Sequence, residues 1–265
     1  MVYSKQVGAR VKRKEDPRLI TGSSTYVDDV QARNVAHLAI LRSTYAHAKI
    51  NRIDTSRARQ LPGVVAVYTG ADFKPLTGPM PFGGGEGSGG LEGQVTIHTN
   101  PLEADRVRHV GQAIGVVVAE SPAIARDALD LIEVDYEPLP VLVDMEAADK
   151  PGAPQIYDNV PNNIGYVWTK KTGDVARAFA EADAVVSQRM NNQRLSSISM
   201  ETRGAFAQPD PIGDGLIVYT STQNPHRHAP VRSARRDAVA AATRRGGRMA
   251  AAIEAARPEW RRRRR

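Results

Sequence analysis

The sequence has 265 residues, of which 41% are hydrophobic and 25% are charged. These proportions are typical of folded globular proteins, and the length is enough for about two domains. Because cysteine is absent, the chain offers no disulfide, no cysteine-ligated zinc and no cysteine-held iron–sulfur cluster. No apolar run reaches the roughly 20 residues needed to cross a bilayer, and the basic start lacks the apolar centre of a secretory signal. We therefore expect a cytoplasmic protein.

The net charge of +7 is concentrated at one end of the chain. Residues 229–265 carry 12 of the 36 basic residues and 3 of the 29 acidic ones, a net charge of +9, which leaves −2 for residues 1–228. A slightly acidic main body does not favour a domain-wide phosphate-binding face. The Arg/Ala-rich tail (residues 229–265) has three interpretations: a solvated appendage, a segment that binds nucleic acid or another acidic surface, and translation of the wrong reading frame.

The first half of the chain alternates apolar runs with turn residues. In chain order, the pattern predicts a strand at 35–42, a helix at 56–60, strands at 64–68 and 113–119, a helix at 123–132, a strand at 132–136 and a short apolar run at 141–143. Ser121 and Pro122 form a helix-start signal, because serine caps helices and proline fits their first position. Residues 113–136 therefore predict a βαβ-like unit, with strand 113–119 buried on both faces.

The second half of the chain begins after a linker rich in Pro, Gly and Asp at residues 149–161. Its pattern predicts a helix at 175–183, an extended strand at 184–194, and two strands at 204–208 and 216–220 around a loop dense in turn residues. The chain therefore divides into a mixed α/β domain that ends near Met145 and a second domain that starts near Pro151.

Three short patterns carry candidate chemistry, and none is specific. Residues 85–90 satisfy G-x-G-x-x-G, but the dinucleotide-binding form of this motif needs a strand before it and a helix after it, so a loop is favoured. His226 and His228 could share a metal ion on one side of a strand, but the sequence nearby offers no further zinc ligands. Glu201 and Arg203 place a carboxylate beside a guanidinium, which predicts a structural ion pair.

Several segments, in order, resemble the molybdenum hydroxylases, the family of xanthine dehydrogenase, aldehyde oxidase and aerobic carbon monoxide dehydrogenase. They are DPRLITG (16–22), YVDD (26–29), LRSTYAHAKI (41–50), LPGVVAVYTGAD (61–72), VGQ (110–112), AIGVVVAES (113–121) and VDYEPLP (134–140). The resemblance implies the α/β "hammerhead" domain of the large subunit over residues 17–145, after an N-terminal arm at 1–16. The implied fold class is a mixed α/β (α+β) arrangement followed by the start of a molybdopterin-binding domain over 151–228.

The second domain extends the resemblance to the cofactor site. METRGA (200–205) is similar to the family's Met-Glu-Pro-Arg-Gly signature, with Thr202 where proline is usual, and TQNPH (222–226) matches its Thr-Gln-x-Pro step. In the family, the glutamine of that step approaches an oxo ligand of molybdenum, which implies a catalytic, cofactor-binding role for Gln223. A neutral amide can donate to such an oxygen without adding charge. The resemblance implies that Glu201 and Arg203 are scaffold residues of the same site.

The family likeness also implies cofactor, partners and an incomplete site. The expected cofactor is a molybdopterin-type molybdenum cofactor, and the expected partners are an iron–sulfur subunit and an FAD subunit, in agreement with the absence of cysteine. Beyond residues 227–230 the likeness ends, and the Gly-rich loop and distal glutamate of the family are missing. We therefore hypothesise that residues 229–265 arise from a frameshift. The alternative function is a non-enzymatic protein that binds nucleic acid or another acidic surface through this tail.

Overall fold

The computed structural model describes residues 8–77, 80–81, 94–95, 97–167, 169–193, 195–196, 198–209 and 216–222. The chain separates into two compact units, a larger unit of residues 34–188 and a smaller unit in which the residues up to 33 group with those from 189 onward. The N-terminal segment to residue 33 thus groups with residues from the second half of the chain. The division at residues 145–151 that the sequence suggests stays a prediction.

Both helices and strands occur along the described residues, as the mixed fold class predicts. The helices are α1 Asp16–Ile20, α2 Ser56–Gln60, α3 Gly70–Phe73, α4 Pro122–Leu129 and α5 Val175–Ala180, with 3-10 turns at Val27–Asp29 and Pro161–Asn163. The strands are β1 His37–Arg42, β2 Ala48–Asp54, β3 Val64–Thr69, β4 Met80–Pro81, β5 His98–Thr99, β6 Arg106–Val107, β7 Ala113–Ala119, β8 Glu133–Pro138, β9 Ala205–Pro209 and β10 Leu216–Thr220.

Strand β7 is the centre of the larger unit. It lies between β1 and β3 in a three-stranded sheet and pairs antiparallel with both. The predicted burial on both faces is confirmed, since Ile114 and Val117 are fully buried although they point to opposite faces. On one face Val117 packs into a cluster with alanines of α2 and α4, and on the other Ile114 packs into a second cluster.

Helix α4 begins where the sequence predicts. The Ser121 Oγ accepts a hydrogen bond from the Ile124 N–H at 3.2 Å, and Pro122 occupies the first helical position. The cap satisfies one of the backbone donors that a helix start leaves free. Ala125 and Ala128 are buried against the first sheet, and their small side chains let the helix approach it closely.

The second three-stranded sheet has the order β6-β2-β8, again with antiparallel pairing. The elements predicted over 113–136 are confirmed, but β7 and β8 belong to different sheets. The strand–helix–strand order is thus present without the parallel pair of a complete βαβ unit. The physical reason is the difference between the strands: β7 is apolar on both faces, whereas β8 has exposed polar residues on one face, which suits the edge of a sheet.

The smaller unit contains the antiparallel hairpin of β9 and β10, which confirms the two strands predicted around the turn-rich loop. The predicted strand at 184–194 is wrong, because residues 184–193 form no strand. Val185, Val186 and Met190 are instead exposed. A strand needs a neighbour for its backbone groups, and the described part of the chain supplies none for this segment.

Gly70 provides a test of the packing between α3 and the loop before β6. A Cβ atom at this position would overlap the Glu103 carbonyl group and lie 2.6 Å from the Ala104 backbone nitrogen. Because backbone atoms cannot move aside as a flexible side chain can, we expect Gly70→Ala to lower the free energy of unfolding by about 2 kcal/mol. Urea denaturation followed by circular dichroism measures this change.

Gly165→Ala is the matched control. A Cβ at residue 165 would only approach the Ile97 Cδ1 at 4.0 Å, an ordinary van der Waals distance. We expect the unfolding free energy of this variant to stay within about 0.5 kcal/mol of the parent. Equal urea midpoints for the two variants would contradict the packing described for Gly70.

Candidate functional site

The candidate site is the open end of the β9–β10 hairpin, where the loop at 199–204 meets residues 220–222. Backbone and hydroxyl groups connect the two sides. The Gly204 N–H donates to the Ser221 Oγ at 3.0 Å, and the Ser221 N–H donates to the Gly204 carbonyl at 3.2 Å. The Thr220 hydroxyl donates to the same carbonyl at 3.2 Å. The hairpin is therefore closed two residues before Gln223.

Glu201, one of the predicted scaffold residues, contacts the N-terminal segment. Its Oε1 accepts a hydrogen bond from the Val27 N–H at 3.3 Å, across 174 residues of sequence. The predicted ion pair with Arg203 is wrong, since no ion pair joins the two side chains, and Arg203 is exposed. The Glu201 carboxylate accepts its hydrogen bond from a backbone N–H instead.

Gln223 lies outside the described residues, and its position beside a metal centre stays a prediction. The same holds for the other candidate features that the sequence singles out. They are the G-x-G-x-x-G segment at 85–90, the pair His226 and His228, and the tail at 229–265. Within the described ranges, no group of three or more His, Asp or Glu side chains is arranged to hold a metal ion. The described part of the chain also contains no helix that is both long and apolar enough to cross a membrane.

The larger unit buries polar groups that sequence reasoning missed. His47 is only 5% exposed. Its Nδ1 lies 2.7 Å from the Pro140 carbonyl, and its Nε2 is buried with no hydrogen-bond partner among the described atoms. Glu103 is 4% exposed and accepts hydrogen bonds from the backbone and side-chain nitrogens of Asn100 at 3.1 and 3.2 Å. Both residues hold loops of this unit in place. The feature of the sequence that could have identified His47 is its place in the LRSTYAHAKI segment.

The predicted linker at 149–161 lies within the larger unit and contacts β6 and Arg108. The Arg106 guanidinium pairs with Asp158 at 3.0 Å, and Arg108 lies over the Tyr157 ring at 4.9 Å from its centroid. Burial raises the pKa of the Tyr157 hydroxyl above its usual value, and the charge of Arg108 partly offsets this. The Asn163 amide donates to the carbonyls of Ala148 and Pro154, which holds the two ends of this segment together.

The described residues alone do not fit an enclosed cofactor. The segment before the hairpin is exposed, with Ile198 at 91% and Met200 at 102% of their full accessible surface. An open depression of about 420 Å³ lies between α5 and residues 184–186, and its walls include Val175 and Phe179. These residues belong to the larger unit, and the depression contains no residue of the candidate site. A ligand of pterin size needs walls from several loops, and one hairpin end does not supply them.

Two family descriptions match the chain in succession. "Aldehyde oxidase and xanthine dehydrogenase, a/b hammerhead domain" matches residues 21–140, and "Molybdopterin cofactor-binding domain" matches residues 156–235. The first covers both three-stranded sheets of the larger unit. The second covers the hairpin, Glu201, Arg203 and Gln223.

Individual relatives agree with these descriptions. The nicotine 6-hydroxylase large subunit of Paenarthrobacter nicotinovorans is 38% identical over 83% of this chain and 26% of its own length. The carbon monoxide dehydrogenase large chain of Afipia carboxidovorans is 35% identical over 83% of this chain and 28% of its own length. Among solved structures, quinoline 2-oxidoreductase from Pseudomonas putida 86 is similar with a TM-score of 0.72 and 38% identity, over 83% of this chain and 27% of the other.

This chain spans about a quarter of the length of these relatives. The order of the two matched domains, the relatives and the fold agree with one another. The chain therefore belongs to the molybdenum hydroxylase family of aldehyde oxidase and xanthine dehydrogenase, and it matches the N-terminal part of the family's large, molybdopterin-binding subunit.

Proposed function

We propose that the chain is the N-terminal part of the large subunit of a molybdenum-dependent hydroxylase. Such an oxidoreductase transfers a water-derived oxygen to its substrate and passes the electrons to iron–sulfur and FAD subunits. The observation that carries the proposal is the succession of a hammerhead domain over 21–140 and a molybdopterin-binding domain over 156–235. By their names, the relatives act on nicotine, carbon monoxide and quinoline, and the substrate that we propose here is likewise a small molecule.

Gln223 is the residue of this chain that we assign to the reaction itself. In the sequence it follows the last residue of β10 by three positions and Ser221, which is hydrogen-bonded to Gly204, by two. Its amide can donate a hydrogen bond towards a reacting oxygen while it remains uncharged. Glu201 and Arg203 support this position, Glu201 through its hydrogen bond to the Val27 N–H.

The molybdenum cofactor, when bound, supplies the oxygen transfer and the acceptance of electrons. The described residues form one side of its site at most, because the hairpin end and the segment before it are open to solvent. We propose that further polypeptide completes the site. The exposed side chains of Met190, Ile198 and Met200, all within eleven residues of sequence, support this, since a surface rich in large apolar side chains is typical of a region that other polypeptide covers.

The proposed partners are inferred from the names of the relatives, which describe them as subunits. One relative is a "large chain" and another is the gamma subunit of a 6-hydroxypseudooxynicotine dehydrogenase complex, which is 37% identical over 80% of this chain and 26% of its own length. Proteins of this family thus work as parts of multi-subunit assemblies. A chain without cysteine cannot itself hold an iron–sulfur cluster through thiolates, so we assign the clusters to a separate subunit.

The cofactor assignment is tested by metal analysis of two proteins. The purified 265-residue chain is expected to contain no stoichiometric molybdenum, because its described residues do not enclose a ligand. A chimera in which residues 1–228 replace the matching part of the Afipia carbon monoxide dehydrogenase large chain, produced in that bacterium, is expected to bind molybdenum near one per chain. Stoichiometric metal in the short chain, or a folded chimera without metal, would contradict the proposal.

The role of Gln223 is tested in the same chimera. We expect Gln223→Ala to lower the turnover of carbon monoxide about 100-fold with the molybdenum content unchanged, because a donor aimed at the reacting atoms is removed. Gln188→Ala removes the same side chain from an exposed position and is expected to leave both quantities as they are. Turnover of the Gln223 variant within a factor of two of the parent would remove Gln223 from the site.

The exposed apolar segment is expected to control the solubility of the short chain. Replacing Met190, Ile198 and Met200 by lysine removes three exposed apolar side chains from one short stretch of the sequence. The binding of a hydrophobic dye and the light scattering of concentrated protein should therefore both fall at least two-fold. Val11→Lys changes an isolated exposed side chain, 72% accessible, and should alter neither measurement by that amount. Unchanged scattering in the triple variant would show that these side chains are not responsible for association.

A further inference from the structure

We propose that the arm turn (residues 26–30) is a positioning element for the candidate site, with Val27 and Glu201 as its positioning residues. The proposal deepens the function proposed above, on which its catalytic consequence rests. The arm turn and the loop at 199–204 are far apart in sequence. Two contacts join them: a hydrogen bond from the Val27 N–H to the Glu201 carboxylate, and the packing of Gly204 against the Val27 side chain. Through the hairpin, this contact reaches the residues that precede Gln223.

The arm turn is closed by its own hydrogen bonds. The Tyr26 N–H donates to the Asp29 carboxylate at 2.8 Å, and the Asp29 N–H donates to the Tyr26 carbonyl at 3.1 Å. The Val30 N–H donates to the Val27 carbonyl at 3.2 Å. The Val27 N–H takes no part in these bonds, as is usual for donors in the first turn of a helix. A turn of fixed shape therefore presents this donor to Glu201.

Two contacts hold the loop against the arm turn. The first is the hydrogen bond of 3.3 Å from the Val27 N–H to the Glu201 Oε1. The second is the approach of Gly204 to the Val27 side chain, so close that a Cβ on residue 204 would lie 3.0 Å from Val27 Cγ1 and 3.2 Å from Val27 Cβ. Gly204 does not have a positive φ, so glycine is needed here for space and not for backbone conformation.

The loop passes this constraint to the end of β10. Gly204 exchanges backbone and hydroxyl hydrogen bonds with Ser221, whose own hydroxyl also lies 3.4 Å from the Thr202 carbonyl. The Ser199 hydroxyl donates to the Glu201 carbonyl at 2.6 Å and fixes the start of the loop. A shift of Gly204 therefore shifts Ser221, and Gln223 follows Ser221 by two residues. The YVDD and METRG segments, separate in sequence, thus form one structural element.

Hydrogen exchange of the full 265-residue chain, followed by mass spectrometry, tests the contact without any cofactor. We expect Glu201→Ala to speed exchange in peptides that contain Gly204 and Ser221 about five-fold, the effect of losing one hydrogen bond. Glu201→Gln keeps an acceptor oxygen and is expected to stay within two-fold of the parent. Glu181→Ala, which removes a carboxylate from an exposed pair with Arg177, should leave the same peptides unchanged.

Gly204→Ala tests the close approach independently. It is expected to speed exchange in the same peptides and in the arm turn at least five-fold, and adding Val27→Ala should reverse part of this change, because the nearest methyl group is then absent. Peptides from β7 report whether the larger unit stays folded in every variant. Unchanged exchange in both Glu201→Ala and Gly204→Ala, or equal exchange in Glu201→Ala and Glu201→Gln, would overturn the proposal.

These outcomes are separable from those of the proposed function. Exchange that responds as expected, together with a chimera that binds no molybdenum, would leave the arm turn as a structural clamp and remove the catalytic assignment. In a chimera that does bind molybdenum, Glu201→Ala is expected to lower kcat about five-fold with KM unchanged, and Glu201→Gln to restore it. A change confined to KM would contradict a positioning role.

Discussion

Burial of β7 on both of its faces is the constraint on which the larger unit depends. An apolar strand of this kind cannot lie at a surface, so one face must be covered by helices and the other by a second layer. Ala125 and Ala128 of α4 cover the Val117 face, and the cluster with Ala48 and Val107 covers Ile114. The two three-stranded sheets are therefore joined through one strand, and the buried members of the two clusters are alanine, valine and isoleucine.

The candidate site depends on a different kind of interaction. Its described residues are held by backbone hydrogen bonds and one carboxylate, with almost no buried apolar surface around them. Such a network fixes geometry well but contributes little free energy, because each bond replaces one to water. The larger unit thus has the stable core, whereas the hairpin and its loop contain the residues that we propose as scaffold of the site.

Local features of the fold were predictable from sequence. The run AIGVVVA, the Ser121–Pro122 cap and the two strands β9 and β10 are each encoded by residues close together in sequence, and each of these predictions is confirmed. The assignment of β8 to a second sheet was not predictable, because local alternation does not say which strand will be the neighbour.

The same limit applied to the candidate site. Glu201 finds its partner 174 residues away, in a backbone N–H that no sequence pattern displays, and proximity in sequence instead suggested Arg203. The strand expected at 184–194 failed for a related reason, since strand propensity needs a neighbouring strand to become structure. The resemblance to the hydroxylase family supplied the domain order and the candidate residues, whereas the contact of Glu201 emerged only in three dimensions.

Residues 149–163 are fastened within the larger unit by specific contacts. Arg106, Arg108 and Asn163 fasten this stretch, and Asn162 and Asn163 adopt φ values of 54° and 57° that force a sharp change of direction. This stretch is thus a fixed part of the unit rather than a loose tether. Its length is consequently not free to vary: an insertion there would separate the Asn163 amide from the carbonyls of Ala148 and Pro154, whereas a flexible connector would absorb it.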